Sequence, residues 1–185
     1  TSEVAPLLAE LRAARTSIVA EAVDVTDAAA LAALLARVRA DGPPIRGVLH
    51  SAGVLDDAAL LQQNAGRFAH VMGPKVHGGF LLDALTRSDP LDWFVTFSSA
   101  AAVLGSPGQA NHSAANAFLD VLAAARRQHG LPGLSVNWGP WSDVGAAAER
   151  GLEERLAEQG LFAITPRQGI QALERLMMDG PAQAA

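Results

Sequence analysis

Four kinds of side chain in this 185-residue sequence could move a proton or hold a polarised oxygen. They are the hydroxyls of Ser98 and Ser99, the ammonium of Lys75, the imidazole of His112 and the amide of Asn116. His112 and Asn116 stand four residues apart, which puts them on one face of a helix. An imidazole exchanges protons near neutrality, a hydroxyl donates to an oxygen that gains charge, and an ammonium steadies an anion. Taken singly, each has a plainer reading. Ser98-Ser99 can end a strand, Lys75 can be a solvated surface cation, Asn116 can bond within its helix, and His112 can begin one. His50, His70, His77 and His129 have no spacing to a second ligand and Cys is absent, so no metal site is expected. Tyr is absent as well.

Helical and strand patterns alternate along the chain, and they set where these groups stand. Residues 4–14 have helical apolar spacing and read as the tail of a helix. Residues 17–25 (SIVAEAVDV) read as a strand, and Asp27 caps a helix reaching to about residue 40. A second strand at 45–51 ends on Ala52-Gly53, and 57–86 reads as mostly helical. A third strand at 93–98 is an apolar run of the kind buried on both faces. A helix over 109–129 is closed by Gly130. A fourth strand at 134–138 leads to a loop, a short charged helix near 149–159, and a last helix at 166–178 opened by Pro166. Strands separated by helices make a parallel sheet with helices on both faces. The pattern predicts a partial Rossmann-like, doubly wound α/β fold, with 1–185 as one domain. No G-x-G-x-x-G is present, the sequence starts on a helix, and no closing strand follows the last one. It therefore reads as a fragment lacking the first strands and the Gly-rich phosphate loop. The segment 144–163, with Gly145 and Gly160 around its charged helix, is expected to be a mobile lid. Trp138 and Trp141 flank Gly139-Pro140 at a strand's C-terminal end, where such folds bind ligands, and are expected to touch the site.

Composition narrows the function classes. The net charge is −5 without a cluster of Lys or Arg, which argues against nucleic acid and anionic membranes as partners. No apolar run approaches the roughly 20 residues that span a bilayer. A chain without Cys fits a cytoplasmic location.

Five stretches carry a resemblance. Residues 47–57 (GVLHSAGVLDD), 74–76 (PKV), 97–105 (FSSAAAVLG), 106–120 (SPGQANHSAANAFLD) and 135–141 (SVNWGPW) occur in this order. In order and spacing the chain resembles the ketoreductase domains of modular polyketide synthases, members of the short-chain dehydrogenase/reductase class. The resemblance implies reduction of a ketone by hydride from a nicotinamide. It makes Ser99 the carbonyl-orienting hydroxyl, Lys75 the cation that serves the acid and the nicotinamide ribose, and Asn116 the amide one turn beyond the acid. His112 stands where the family pattern has Tyr. Phenol titrates near about 10 and imidazole near about 6.5, so an imidazolium is a chemically competent donor with a shorter reach. Asp24, with Val25, matches the position that contacts adenine, although a turn Asp at a strand end is the plainer reading. Ala52 and Gly53 match the close approach to the cofactor. Leu55-Asp56-Asp57 resembles the signature of B-type members, which give (3R) products. Leu104 agrees, because A-type members carry Trp there.

The resemblance thus implies an NADPH-dependent reductase acting on a β-ketoacyl chain tethered to an acyl carrier protein. Its partners would be the other synthase domains and the remaining part of its own domain. The departure at His112 keeps a second expectation open, a catalytically silent scaffold domain of a synthase. A stand-alone dehydrogenase for a small alcohol is disfavoured by the Leu55-Asp56-Asp57 segment and the SPGQAN run.

Overall fold

A computed structural model describes residues 4–14, 17–142 and 162–185. Four strands form one parallel sheet in sequence order: β1 (Gly47–His50), β2 (Trp93–Ser99), β3 (Leu134–Trp138) and β4 (Gln183–Ala184). Gly47 lies opposite Trp93, Ser99 opposite Trp138, and Ser135 opposite Gln183. Parallel neighbours cannot be joined by tight hairpins, so each link is a helical crossover. Between β1 and β2 run α3 (Ala65–Met72), a π-helical turn (Gly73–His77) and α4 (Gly78–Thr86). Between β2 and β3 run α5 (Ala101–Leu104) and α6 (Ala110–Gln128), and α7 (Pro166–Asp179) precedes β4. Upstream lie α1 (Val4–Ala13) and α2 (Ala28–Asp41). Among the described residues, no helix is long and apolar enough to cross a membrane.

The side-chain period of two splits β2 and β3 between two layers. Val95, Leu134, Val136 and Trp138 pack with Leu173 of α7. On the opposite face Ser98, Ser135 and Asn137 bond to α6, and Arg126 of α6 stacks on Phe94 at 3.9 Å from the ring centroid. Helices therefore cover both faces of the sheet.

Local chemistry sets the helix ends. Asp27 caps α2 by accepting from the Ala29 and Ala30 amides, both at 3.0 Å. Thr165 and Gln168 form a reciprocal capping box before Pro166. Gly130 takes φ +72° just beyond α6, as a helix-closing glycine does.

Three expectations need correction. Residues 17–24 form no strand: β-branched composition favours extension, yet a strand exists only as part of a ladder, and none lies beside this segment among the described residues. A closing strand does follow the last helix. It is only two residues long, β4, and its Gln and Ala carry no strand propensity to signal it. The stretch 57–86 is not one helical run. Residues 51–59 are irregular, Leu60–Gln62 make a single 3₁₀ turn, and the helix begins at Ala65, where Asn64 accepts from the Arg67 amide. The expected charged helix near 149–159, and all of the expected lid except its last two residues, lie outside the described residues.

Candidate functional site

Lys75 sits inside the π-helical turn. Pro74 lacks an N–H and its ring crowds the carbonyl one turn back, so the regular ladder of α3 cannot continue through it. The turn widens instead, and Lys75 is buried rather than solvated, with 7% of its surface exposed. Its Nζ donates to the Phe97 carbonyl in β2 at 2.9 Å. Desolvation pulls its pKa down from 10.5 to about 8, against the opposing charge of Asp120. Gly53 makes room: a Cβ there would stand 2.9 Å from Lys75 Cε. His50, at the end of β1, lies buried against Gly79 just past the same turn, and its Nε2 has no hydrogen-bond partner. Burial first, and the Lys75 charge second, push its pKa below the usual imidazole value, so His50 is neutral.

The other candidates gather at the C-terminal end of β2. Ser98 Oγ donates to the Asn116 carbonyl at 3.2 Å, and Asn116 Nδ2 donates to the His112 carbonyl at 2.8 Å. Asn116 Oδ1 is buried and has no hydrogen-bond partner. Ser99 Oγ accepts from the Ala101 amide at 3.2 Å, which starts α5 and leaves the hydroxyl proton to donate elsewhere. Lys75 reaches the same strand two residues earlier. His112 is half-buried in the first turn of α6, where Asn111 Oδ1 accepts from its amide at 2.8 Å. Lys75 Nζ, Ser99 and Asn116 thus gather about the last three residues of β2, and His112 is tied to Asn116 through its backbone carbonyl.

The segment Leu55-Asp56-Asp57 is tied to the helix that carries His112. Gln109 Nε2 donates to the Asp57 carboxylate at 3.2 and 3.3 Å, and Asn111 Nδ2 donates to the Asp56 carbonyl at 2.9 Å. Arg67 of α3 pairs with the Asp56 carboxylate. Leu55 is half-buried beside them in the chain.

The KR domain family matches residues 1–143. The chain belongs to this ketoreductase family of polyketide synthases. It is 40% identical over 181 residues to the phthioceranic/hydroxyphthioceranic acid synthase of Mycobacterium tuberculosis, covering 96% of this chain and 8% of that protein. It is 43% identical over 177 residues to a phenolphthiocerol synthesis polyketide synthase of Mycobacterium marinum, covering 94% and 8%. The chain spans under a tenth of the length of these relatives. Among solved structures, an A-type ketoreductase from a modular polyketide synthase superposes with a TM-score of 0.94 at 40% identity, over 100% of this chain and 39% of that one. The ketoreductase from the first module of phoslactomycin biosynthesis in Streptomyces sp. HK803 gives 0.93 at 39% identity, over 100% and 42%.

The remaining candidates of this ketoreductase domain lie before α2 and at or just beyond the end of β3. Asp24 is exposed and its Oδ1 accepts from the amide and hydroxyl of Thr26, both at 2.8 Å. These bonds lower its pKa, backbone bond first. That is the turn geometry of the plainer reading. Val25 packs its side chain onto Gly78, where a Cβ would come within 2.7 Å of it. Trp138 and Trp141 meet edge to face, with centroids 5.0 Å apart, in the layer beneath α7, and Gly169 gives Trp141 its space. Trp138 is a core side chain of that layer and Trp141 lies half-buried against it; aromatic size after a strand end signals burial as readily as ligand contact.

Two features of the site went unread in the sequence. Lys75 is the only lysine of the chain, against 13 Arg and 5 His. A side chain used once, and buried, is a signal that counting lysines alone would have raised. The second is Asp120, buried on α6 one turn beyond Asn116, whose carboxylate accepts from Ser135 Oγ at 2.6 Å and Asn137 Nδ2 at 2.9 Å. A charged residue on the face shared with His112 and Asn116 was its only trace in the sequence.

Proposed function

We propose that this domain reduces a β-ketoacyl thioester, tethered to an acyl carrier protein, to the (3R)-β-hydroxyacyl chain with NADPH as reductant. The observation that carries the reading is that Lys75 and Asn116 bond to Phe97 and Ser98 beside Ser99 at the C-terminal end of β2, with Asn116 also bonded to the His112 carbonyl. Ligands of open parallel sheets bind at that edge. The residues fit a nicotinamide nucleotide. Ala52 and Gly53 leave an exposed backbone with almost no side chain after β1, and Lys75 offers a single ammonium behind Gly53. Asp24 and Val25 stand at the adenine end in this reading, and Lys75 at the ribose. Bound reduced nicotinamide supplies the hydride. Ser99 holds the ketone oxygen with its free hydroxyl proton, and His112 gives that oxygen a proton as charge develops on it. Lys75 keeps the proton donor electrostatically poised, and Asn116 anchors the first turn of α6 through its bond to the His112 carbonyl.

The (3R) outcome rests on Leu55-Asp56-Asp57, held against α6 and α3 by Gln109, Asn111 and Arg67, together with Leu104. The A-type structure described above shares this backbone, so facial choice is a matter of these side chains rather than of the fold. A second reading, a silent domain, rests on one observation, the imidazole at position 112. The test is an assay of the complete domain with a β-ketoacyl thioester and either NADPH or NADH, with chiral separation of the product. The reading expects NADPH-dependent formation of the (3R) alcohol. The (3S) alcohol would overturn the stereochemical part, and no turnover would leave the silent domain.

A further inference from the structure

We propose that Asn137 is a positioning residue of the reductase site, one buried amide of β3 that holds the Ser99 peptide directly and the Asn116 carbonyl through Ser98. The inference rests on the reductase reading above and deepens it.

Asn137 lies opposite Ser98 in the register of β3 with β2, and its side chain enters the polar layer beneath α6. It is 3% exposed. Its Nδ2 stands 2.9 Å from an Asp120 carboxylate oxygen, 3.0 Å from Ser98 Oγ and 3.2 Å from the Ser99 carbonyl. A carbonyl and a carboxylate can only accept, so the amide presents its N–H₂ to them. Gln183 of β4 fixes the same orientation from the other side by donating to Asn137 Oδ1 at 3.0 Å. Both ends of the amide are thus engaged, and the four partners come from β2, α6 and β4.

This amide divides the work of two adjacent hydroxyls. Ser98 Oγ accepts from Asn137, and its single proton is committed to the Asn116 carbonyl at 3.2 Å. Ser99 Oγ accepts from the Ala101 amide and keeps its proton for the ketone. Ser98 is therefore a link, and Ser99 is the reacting hydroxyl. The link continues, because Asn116 Nδ2 donates to the His112 carbonyl at 2.8 Å. Asn137 thus reaches the first turn of α6 through two side chains, and the Ser99 backbone through none. Pairing with Asp120 alone would need neither contact. A displacement of about 1 Å among reacting groups costs about 10²-fold in rate, so the loss of an amide that sets the Ser99 peptide is felt in kcat.

The test reverses the Asp120–Asn137 pair in the full polypeptide. Asn137→Asp alone removes the donated protons and faces Asp120 with a second carboxylate, so the urea midpoint and kcat should both fall. Adding Asp120→Asn restores one donor and one acceptor between the two positions, and the urea midpoint should return toward the parent. The carboxylate at 137 still donates nothing to the Ser99 carbonyl or to Ser98. The double variant should therefore keep a kcat about 10²-fold below the parent, with KM near the parent value. Hydrogen exchange, read by mass spectrometry over residues 98–116, should be faster than in the parent despite the recovered global stability. A stable double variant with parental kcat or parental exchange overturns the proposal, because pairing with Asp120 is then all that Asn137 does. If circular dichroism shows that the double variant does not fold, Asn137→Ser makes the same comparison, its one hydroxyl proton going to the Asp120 carboxylate. A parent polypeptide that reduces no β-ketoacyl thioester would instead refute the reductase reading, and the exchange comparison would still decide whether Asn137 holds this end of β2.

Discussion

The two faces of the sheet are built from opposite materials. Beneath α7 lie Val95, Leu134, Val136, Trp138 and Leu173, with the ring of Phe97 5.6 Å from that of Trp138. Beneath α6 lie Thr96, Ser98, Ser135 and Asn137, facing Asn116, Asp120 and Arg126. Both layers are buried, and they do different work. Apolar packing is non-directional and tolerates exchange among side chains of similar volume. Buried hydrogen bonds are directional, and each group left without a partner costs free energy, so a satisfied network admits few arrangements. A reaction needs reacting groups held to a fraction of an ångström. The domain sets its candidate amide, Asn116, on the directional side and leaves bulk burial to the other.

The comparison is broken most directly at the buried ion pair of the polar face. Arg126 is almost wholly buried, paired with Asp83 and stacked on Phe94, with Nε donating to the Pro132 carbonyl at 2.7 Å. Asp83→Leu would leave a guanidinium without its anion in a dry setting. The expected loss is about 3–5 kcal/mol of stability, read from urea midpoints. The double variant with Arg126→Met should recover much of it, because replacing both charges removes the unpaired one. A single-variant loss under about 1 kcal/mol would show that this face is wetter than its burial implies.

Next in size is the chemistry at position 112. His112→Phe keeps a ring and removes every proton, and should lower reduction by about 10²-fold or more, roughly 2.7 kcal/mol of barrier. Its urea midpoint should hardly move. His112→Tyr should keep or raise the parent rate and hold it to higher pH. Equal rates in parent and Phe variant would remove His112 from the acid role. Activity in the Tyr variant alone would mark the natural domain as silent.

How much of this was legible beforehand follows the same division. The apolar run at 93–98 and the alternating segment at 134–138 announced their strands, and Asp27, Gly130 and Pro166 announced helix ends, because each of these acts through local backbone chemistry. Lys75, Ser99, His112 and Asn116 were singled out through the resemblance, and Lys75 and Asn116 bond at the end of β2 that carries Ser99. What stayed hidden depends on partners distant in sequence. Residues 17–24 have strand composition and no ladder, whereas β4 has a ladder and no strand composition. Asp120 meets Ser135 and Asn137 across 15 and 17 residues, a pairing no local pattern encodes. The two tryptophans were readable as large side chains at a strand end, whereas the space for Trp141 comes from Gly169 in a helix 28 residues beyond it.

A pH experiment sharpens the comparison further. Lys75 is the only Lys, and the chain has no Cys or Tyr, so Lys75 is the one side chain of these 185 residues expected to titrate between pH 8 and 10.5. Its folded pKa is about 8, against 10.5 ordinarily. Between those values the unfolded chain binds more protons than the folded one, so stability should rise with pH, by up to about 1.4 kcal/mol per pH unit. Reduction, if it needs the ammonium, should fall over the same range. Activity and stability moving in opposite directions is the expected result, and Lys75→Met should flatten the stability slope. Parallel decline of both would mean that the site loses rate by unfolding.

The smallest effect belongs to the apolar face, and its interest lies in what should not change. Helix α7 begins with Thr165, whose Oγ1 accepts from the Gln168 amide at 3.3 Å while Gln168 Oε1 accepts from the Thr165 amide at 3.0 Å. Two amides that the helix cannot satisfy internally are thereby paired. The cap is exposed, so Thr165→Ala passes one amide to water rather than stranding it, and the expected cost is about 1 kcal/mol. The helix it frays supplies Leu173 to the apolar layer and nothing to the polar network. The urea midpoint of this variant should therefore fall slightly while kcat, KM and the pH profile of reduction stay at parent values. A change in that profile would show that the packing of α7 reaches through the sheet to the polar side, and that the two faces are one mechanical unit. An unchanged profile beside a lowered stability is the result that a division of labour between them requires.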